Sequence, residues 1–150
     1  MNTQTPTPTD AAAVLVAAQR ALRADLAGLS REAVSLPARD WDTWCETVRL
    51  RLRALRQHLK SHFELEEGAG LFETLEAAAP EHAATGARLL DQHRSLLVRL
   101  DALAMDATLH VEPPLWTGAL RELIADIAIH EERENELLLR VLDRQPGAPD

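Results

Sequence analysis

Four segments of the chain carry leucine and other apolar residues at steps that alternate between three and four positions. Such steps place the apolar side chains along one face of an α-helix and are typical of the seam in helix bundles. The seam residues are Leu15, Leu22, Leu26 and Leu29; Trp41, Trp44, Val48, Leu52, Leu55 and Leu59; Leu89, Leu96, Leu100 and Leu103; and Leu120, Leu123, Ile127, Leu137 and Val141. Because Ala, Leu, Arg and Glu also dominate the composition, the pattern predicts an all-α protein.

Helix ends are indicated by candidate N-caps, glycines and prolines. Asp10 and Asp40 are plausible N-caps of the first two helices, and Pro80 ends the second and suits the first turn of the third. The predicted helices span residues 10 to 28–30, 40–78, 81–104 and 115–143, with a bend near Gly68 and Gly70. Short connections predict an up-down-up-down four-helix bundle over residues 10–144, between flexible tails at 1–9 and 145–150.

Composition excludes several function classes. With 150 residues the chain is long enough for one domain, and its net charge of -8 disfavours nucleic acid as a partner. The sequence has no apolar run near the roughly 20 residues that cross a membrane. Its single cysteine, Cys45, excludes an internal disulfide, and no leader segment opens the chain, so we expect a cytoplasmic protein.

Polar residues interrupt the apolar seam in every predicted helix. They stand in phase with the leucines and are therefore expected to point into the core. These residues are Gln19, His62, Glu66, His93, His130 and Glu134. An internal repeat relates the two halves of the chain, because it pairs the Gln19 segment with the His93 segment and the 62–66 segment with the 130–134 segment. A generic leucine repeat does not require a histidine and a glutamate at matching seam positions, so we infer shared chemistry.

The spacing of these residues is suited to metal binding. Residues four apart on a helix project to the same side, so His62 with Glu66, and His130 with Glu134, each offer a nitrogen and a carboxylate to one point. Buried carboxylates are costly without a compensating charge, which a cation supplies. Imidazole and carboxylate without thiolate suit iron, manganese or zinc rather than copper(I), and two core carboxylates can bridge two ions.

Other polar residues near the seam receive weaker interpretations. His58 lies one turn before His62 and is either an additional ligand or, as we favour, a partly exposed histidine at the seam edge. Asp126 is a candidate acceptor that orients His130. His82 and His110 receive no role. The remaining acidic residues are interpreted most simply as a solvated face, although Glu67 and Glu131 adjoin the seam: Glu64, Glu67, Glu131 and Glu132.

The sequence resembles the hemerythrin-like, or HHE cation-binding, family through the segments HFELE (62–66), DQHR (91–94) and HEERENELL (130–138). The resemblance implies a four-helix bundle with a non-haem diiron or other metal centre that binds dioxygen or senses or processes oxygen, nitric oxide or iron. The implied ligands are His62, His93, His130, Glu66 and Glu134. The family has a histidine where this chain has Gln19, which implies that one metal is under-coordinated or lost.

The favoured hypothesis is a metal-binding protein with one or two non-haem iron ions, or manganese or zinc, that interacts with a diatomic gas or peroxide. No nucleophile, general base or substrate pocket is evident, so a non-enzymatic role is favoured over a diiron oxidase or peroxidase. The alternative is a bundle without metal that acts as an interaction or homodimerisation module. Trp41, Trp44 and Trp116 would then be interface anchors, although closure of the bundle end is the favoured interpretation of these residues.

Overall fold

Four α-helices make up the fold in a computed structural model, which describes residues 8–34, 40–68, 77, 80–106 and 113–142. The helices are α1 (Pro8–Val34), α2 (Trp41–Gly68), α3 (Ala83–Asp106) and α4 (Pro113–Leu142), and a 3-10 turn at Pro80–His82 precedes α3. α1 and α3 each pack against α2 and α4, so that consecutive helices are neighbours in a ring. The prediction of an all-α four-helix bundle is confirmed.

The helix ends differ from the predicted ones by a few residues, except at the end of α2. α1 begins at Pro8 and continues to Val34, whereas α2 ends at Gly68. The predicted continuation of the second helix, with Gly70, falls mainly outside the described residues, as do His110 and most of both predicted tails. None of the described helices combines the length and the apolar character that crossing a membrane requires.

Asp40 caps the N-terminus of α2, as the sequence predicts. Its carboxylate accepts hydrogen bonds from the backbone N–H groups of Asp42 at 3.2 Å and Thr43 at 3.1 Å. Hydrogen bonds from the Thr43 hydroxyl and from these N–H groups hold the pKa of Asp40 below its usual value. The cap fixes the residue at which α2 starts.

The described seam residues form one continuous core. The apolar side chains within it are almost fully buried: Leu22, Leu26, Leu29, Trp44, Val48, Leu52, Leu55, Leu59, Leu96, Leu100, Leu103, Leu120, Leu123 and Ile127. Leu89 and Leu137 are also buried. The side chains of Leu15 and Val141, which the seam also includes, lie outside the described part. Burial of this face supplies the main stabilisation of a bundle of this size.

Tryptophans close one end of the core. Trp44 and Trp116 are fully buried and meet edge to face, with ring centroids 5.1 Å apart. Their indole N–H groups donate to the carbonyl oxygens of Glu32 at 2.7 Å and Leu103 at 3.0 Å. Trp41 is half-buried and stacks on Trp44 at 5.1 Å. The rings of Trp44 and Trp116 are thus packed and hydrogen-bonded within the chain, so they are unavailable as interface anchors.

Candidate metal centre

Six titratable side chains meet inside the bundle, far from the tryptophan end. Along α2, His62 lies about 27 Å from Trp44 at a rise of about 1.5 Å per residue. The six side chains are all buried and come from three helices: His62 and Glu66 of α2, His93 of α3, and His130, Glu131 and Glu134 of α4. The structure therefore brings together five residues that the sequence singled out and adds Glu131.

Carboxylates surround the Nε2 atom of His62. It lies 2.8 Å from Oε1 of Glu66, 3.1 Å from Oε2 of Glu131 and 3.7 Å from Oε2 of Glu134. Burial alone would lower the pKa of this imidazole, but Glu131, Glu134 and Glu66 raise it to about 12. The electrostatic field at this point therefore favours positive charge.

Histidines surround the opposite side of the Glu134 carboxylate. Its Oε1 lies 2.8 Å from Nε2 of His93 and 2.8 Å from Nε2 of His130. Burial would raise the pKa of Glu134, but His130, His62 and His93 hold it well below its usual value. The two oxygens of Glu134 thus face opposite sides, with Oε2 directed to His62 and Oε1 to the other two histidines.

Glu66 also reaches both sides of the cluster. Its Oε1 is near His62, and its Oε2 lies 3.4 Å from Nε2 of His93. Burial, together with the nearby Glu134 carboxylate, raises the pKa of Glu66 to about 7, even though His62 opposes the shift. Two carboxylates with this orientation are placed to bridge a pair of cations.

Two groups of three donors share the Glu134 carboxylate. One consists of His93, His130 and Glu134, and the other of His62, Glu131 and Glu134. Within each group, one donor atom of every residue lies within 4.8 Å of the others. Such a pair of groups is the arrangement expected for two cations joined by a shared carboxylate.

Several of these donor atoms are buried without a hydrogen-bond partner, although buried polar atoms in folded proteins are nearly always paired. They are Nε2 of His62 and His130, both carboxylate oxygens of Glu66 and of Glu131, and Oε2 of Glu134. They belong to side chains that lie close together, and a bound cation would satisfy their nitrogen and oxygen atoms together. The residues present therefore fit a metal ion.

Comparison with known proteins agrees with this geometry. The model of the hemerythrin HHE cation-binding domain matches residues 10–142. The chain belongs to this family. Searches among curated proteins and among solved structures gave no match. Membership of the family and the grouped histidine and glutamate side chains together identify the protein as a metal-binding helical domain.

The HHE domain orients two of its histidines through their outer nitrogens. Nδ1 of His93 lies 3.1 Å from Oε1 of Glu67, and Nδ1 of His130 lies 2.8 Å from Oε1 of Gln92. An imidazole that donates from Nδ1–H to these oxygens carries its lone pair on Nε2, which is the tautomer that binds a metal through Nε2. The Glu134 and Glu67 carboxylates raise the pKa of His93, although burial opposes the shift.

The structure corrects two sequence interpretations of these outer contacts. Asp126 does not orient His130, because its carboxylate accepts a hydrogen bond from the Arg99 guanidinium at 2.7 Å on the surface. Gln92 takes that position instead. The side chain of Glu67 is 52% exposed, but its carboxylate contacts Nδ1 of the buried His93, so it is more than part of a solvated face.

Phe63 covers the centre with an aromatic ring that the sequence analysis did not single out. Its ring is parallel to His93 at a centroid distance of 3.7 Å and stands edge to face with His130 at 5.6 Å. Phe63 directly follows His62 in the chain. An apolar residue beside an inward-pointing histidine was the feature of the sequence that could have indicated its burial. Phe63 is buried and restricts the rotation of both histidine rings.

The remaining predicted residues occupy different places. His58 is 51% exposed and contacts the Asp25 carboxylate, so the structure does not bring it to the centre. Gln19 is buried on α1, as its seam position predicts. The assignment of Glu131 to a solvated face is wrong, since only 4% of this residue is exposed. Glu64 and Glu132 are exposed as predicted, and His82 lies in the turn before α3.

Proposed function

We propose that this HHE domain holds a non-haem iron centre of one or two ions and uses it to bind or sense dioxygen, nitric oxide or peroxide, or to handle iron. The observation that supports the proposal is the set of buried, unpartnered nitrogen and oxygen atoms of α2 and α4, which lie beside His93 of α3. Imidazole and carboxylate donors without thiolate suit iron, and they also suit manganese or zinc. We place the protein in the cytoplasm, in keeping with its single cysteine.

The residues of the chain would have different roles at such a centre. His62, His93 and His130 would bind metal through Nε2, and Glu66 and Glu134 would bridge and neutralise its charge. A bound iron supplies redox chemistry and affinity for a diatomic ligand. Phe63 shields the His93 and His130 rings from solvent, and Glu67 and Gln92 hold the two rings in the tautomer that binds metal.

Metal content tests the proposal directly. Protein purified from iron-supplemented cells is expected to hold one or two iron ions per chain, and its near-ultraviolet and visible spectrum is expected to change on exposure to oxygen. His130→Ala should lose metal because a buried ligand is removed, whereas His58→Ala should keep it because His58 is exposed and faces Asp25. A wild-type protein that binds no metal even after anaerobic addition of iron(II) would contradict the proposal.

Glu67→Gln is expected to weaken metal binding by roughly 10- to 100-fold, the effect typical of losing an outer partner of a ligand histidine. The carboxylate of Glu67 accepts a hydrogen bond from Nδ1–H of His93 and thereby makes Nε2 of the ring a stronger ligand for a metal. A neutral amide at this position has a weaker effect on the ring. The measurement is competition for iron(II) with a chelator of known affinity. Glu64→Gln is the matched control, since Glu64 is exposed on the same helix and faces Lys60. Equal affinities of the two variants would show that Glu67 has no such role.

A further inference from the structure

One of the two groups of three donors contains a single histidine, His62. The resemblance to the family implies a histidine on α1 at the position of Gln19, and the internal repeat pairs Gln19 with His93, which lies within the centre. An amide oxygen is a weaker ligand for iron than an imidazole. Without Glu131, the His62 side of the centre would hold one nitrogen and two carboxylates that it shares with the other side.

We propose that Glu131 takes the place of the missing α1 histidine as a metal ligand, so that the centre holds two ions; this inference rests on the metal centre proposed above. Oε2 of Glu131 lies 3.1 Å from Nε2 of His62. Both oxygens of Glu131 are buried without a hydrogen-bond partner, and the residue completes a group of three donors with His62 and Glu134. The neighbouring Glu132, in contrast, is exposed.

Helix geometry explains how α4 supplies donors to both sides of the centre. His130 and Glu131 lie four and three positions before Glu134, so their side chains flank its carboxylate on the same face of the helix. His130 contacts Oε1 of Glu134, whereas Glu131 belongs to the group that includes His62. A single turn of α4 therefore offers one separate donor to each ion and one shared carboxylate between them.

The internal repeat places an apolar residue at the position that matches Glu131. Phe63 of the first half corresponds to Glu131 of the second, as Gln19 corresponds to His93. In space, Phe63 stacks on His93, whereas Oε2 of Glu131 lies 3.1 Å from Nε2 of His62. Each of the two residues thus contacts a histidine of the other half of the chain, and of the two only Glu131 carries a side chain that can bind a metal.

The two ions then have different surroundings. The His93 and His130 side offers two nitrogens with the shared carboxylates, whereas the His62 side offers one nitrogen and an additional carboxylate. Oxygen-rich sites bind harder cations in preference to zinc. Loss of Glu131 is therefore expected to remove one ion selectively and leave the other in place.

Anaerobic titration of Glu131→Gln with iron(II), followed by desalting and metal analysis, tests the inference. The wild-type protein and the control Glu132→Gln should bind two ions per chain, and Glu131→Gln should bind one. Titration with manganese(II) should give the paramagnetic resonance spectrum of an exchange-coupled pair in the wild type and of an isolated ion in Glu131→Gln. Adding Gln19→His to Glu131→Gln should restore the second ion.

The outcomes separate this inference from the proposed function. Two ions, or none, in Glu131→Gln would overturn the assignment of Glu131 to one ion, and so would a wild-type protein that binds a single ion. In that last case the metal centre itself would stand. Failure of Gln19→His to restore the second ion would overturn the claim that Glu131 replaces the α1 ligand. Only a wild type that binds no ion would remove the metal centre as well.

Discussion

Substitution of Glu134 by glutamine is expected to remove both metal ions from the protein. Glu134 is the one residue that belongs to both groups of three donors, and its two oxygens face His62 on one side and His93 and His130 on the other. The amide keeps the size of the side chain but provides one oxygen and no negative charge. We expect a loss of affinity greater than the roughly 10- to 100-fold effect of an outer partner.

The measurement is the number of iron(II) ions bound per chain under anaerobic conditions, with helical content checked by circular dichroism. Glu136→Gln is the control, because Glu136 is exposed on the same helix. Glu66→Gln is expected to reduce metal binding less than Glu134→Gln does, since Glu66 belongs to neither group of three donors. Retention of both ions by Glu134→Gln would show that the shared carboxylate does not hold the centre together.

The apolar seam accounts for most of what the sequence predicted correctly. Residues in phase with buried leucines have to enter the core when the seam packs, so the burial of His62, His93 and His130 followed from the helical period alone. The same argument placed Glu66 and Glu134. It did not depend on the order in which the helices pack, because any bundle that buries these seams also buries their polar members.

Glu131 was misassigned because it stands one position past the seam, at the edge of the buried face. Whether such a residue is covered depends on how closely the neighbouring helix approaches, and helical period does not determine this distance. The repeat contained a usable signal, since the matching residue is Phe63, and an apolar side chain there indicates a buried flank. Glu131 would have been predicted as buried if the repeat had been applied to this flank as well as to the seam.

The outer hydrogen bonds depend on contacts between helices, which the sequence does not specify. Asp126 lies one turn before His130 and is a reasonable partner for it within one helix. The structure pairs Asp126 with Arg99 of α3, and His130 with Gln92 of the same helix. Both pairings require the relative register of α3 and α4. Short-range spacing therefore predicts which polar side chains are buried in the core better than it predicts the residues that contact them from other helices.

Removal of metal is expected to lower the melting temperature by about 10 °C or more. A ligand that binds only the folded state stabilises it by about 4 kcal/mol when its free concentration is roughly 1,000 times its dissociation constant. In domains of this size, about 1 kcal/mol shifts the melting temperature by a few degrees. The stabilisation has a local cause, because Glu66, Glu131 and Glu134 are buried close together and a cation relieves their mutual repulsion.

Thermal unfolding with iron(II) and with a chelator, both under anaerobic conditions, measures this shift. Glu134→Gln is the control, because a protein that cannot bind the ions should melt at the same temperature in both solutions. The metal-free protein is nevertheless expected to unfold cooperatively, since the leucine seam and the Trp44–Trp116 pair form a core that does not include the centre. An equal melting temperature for the wild type in both solutions would mean that the buried carboxylates are not stabilised by metal.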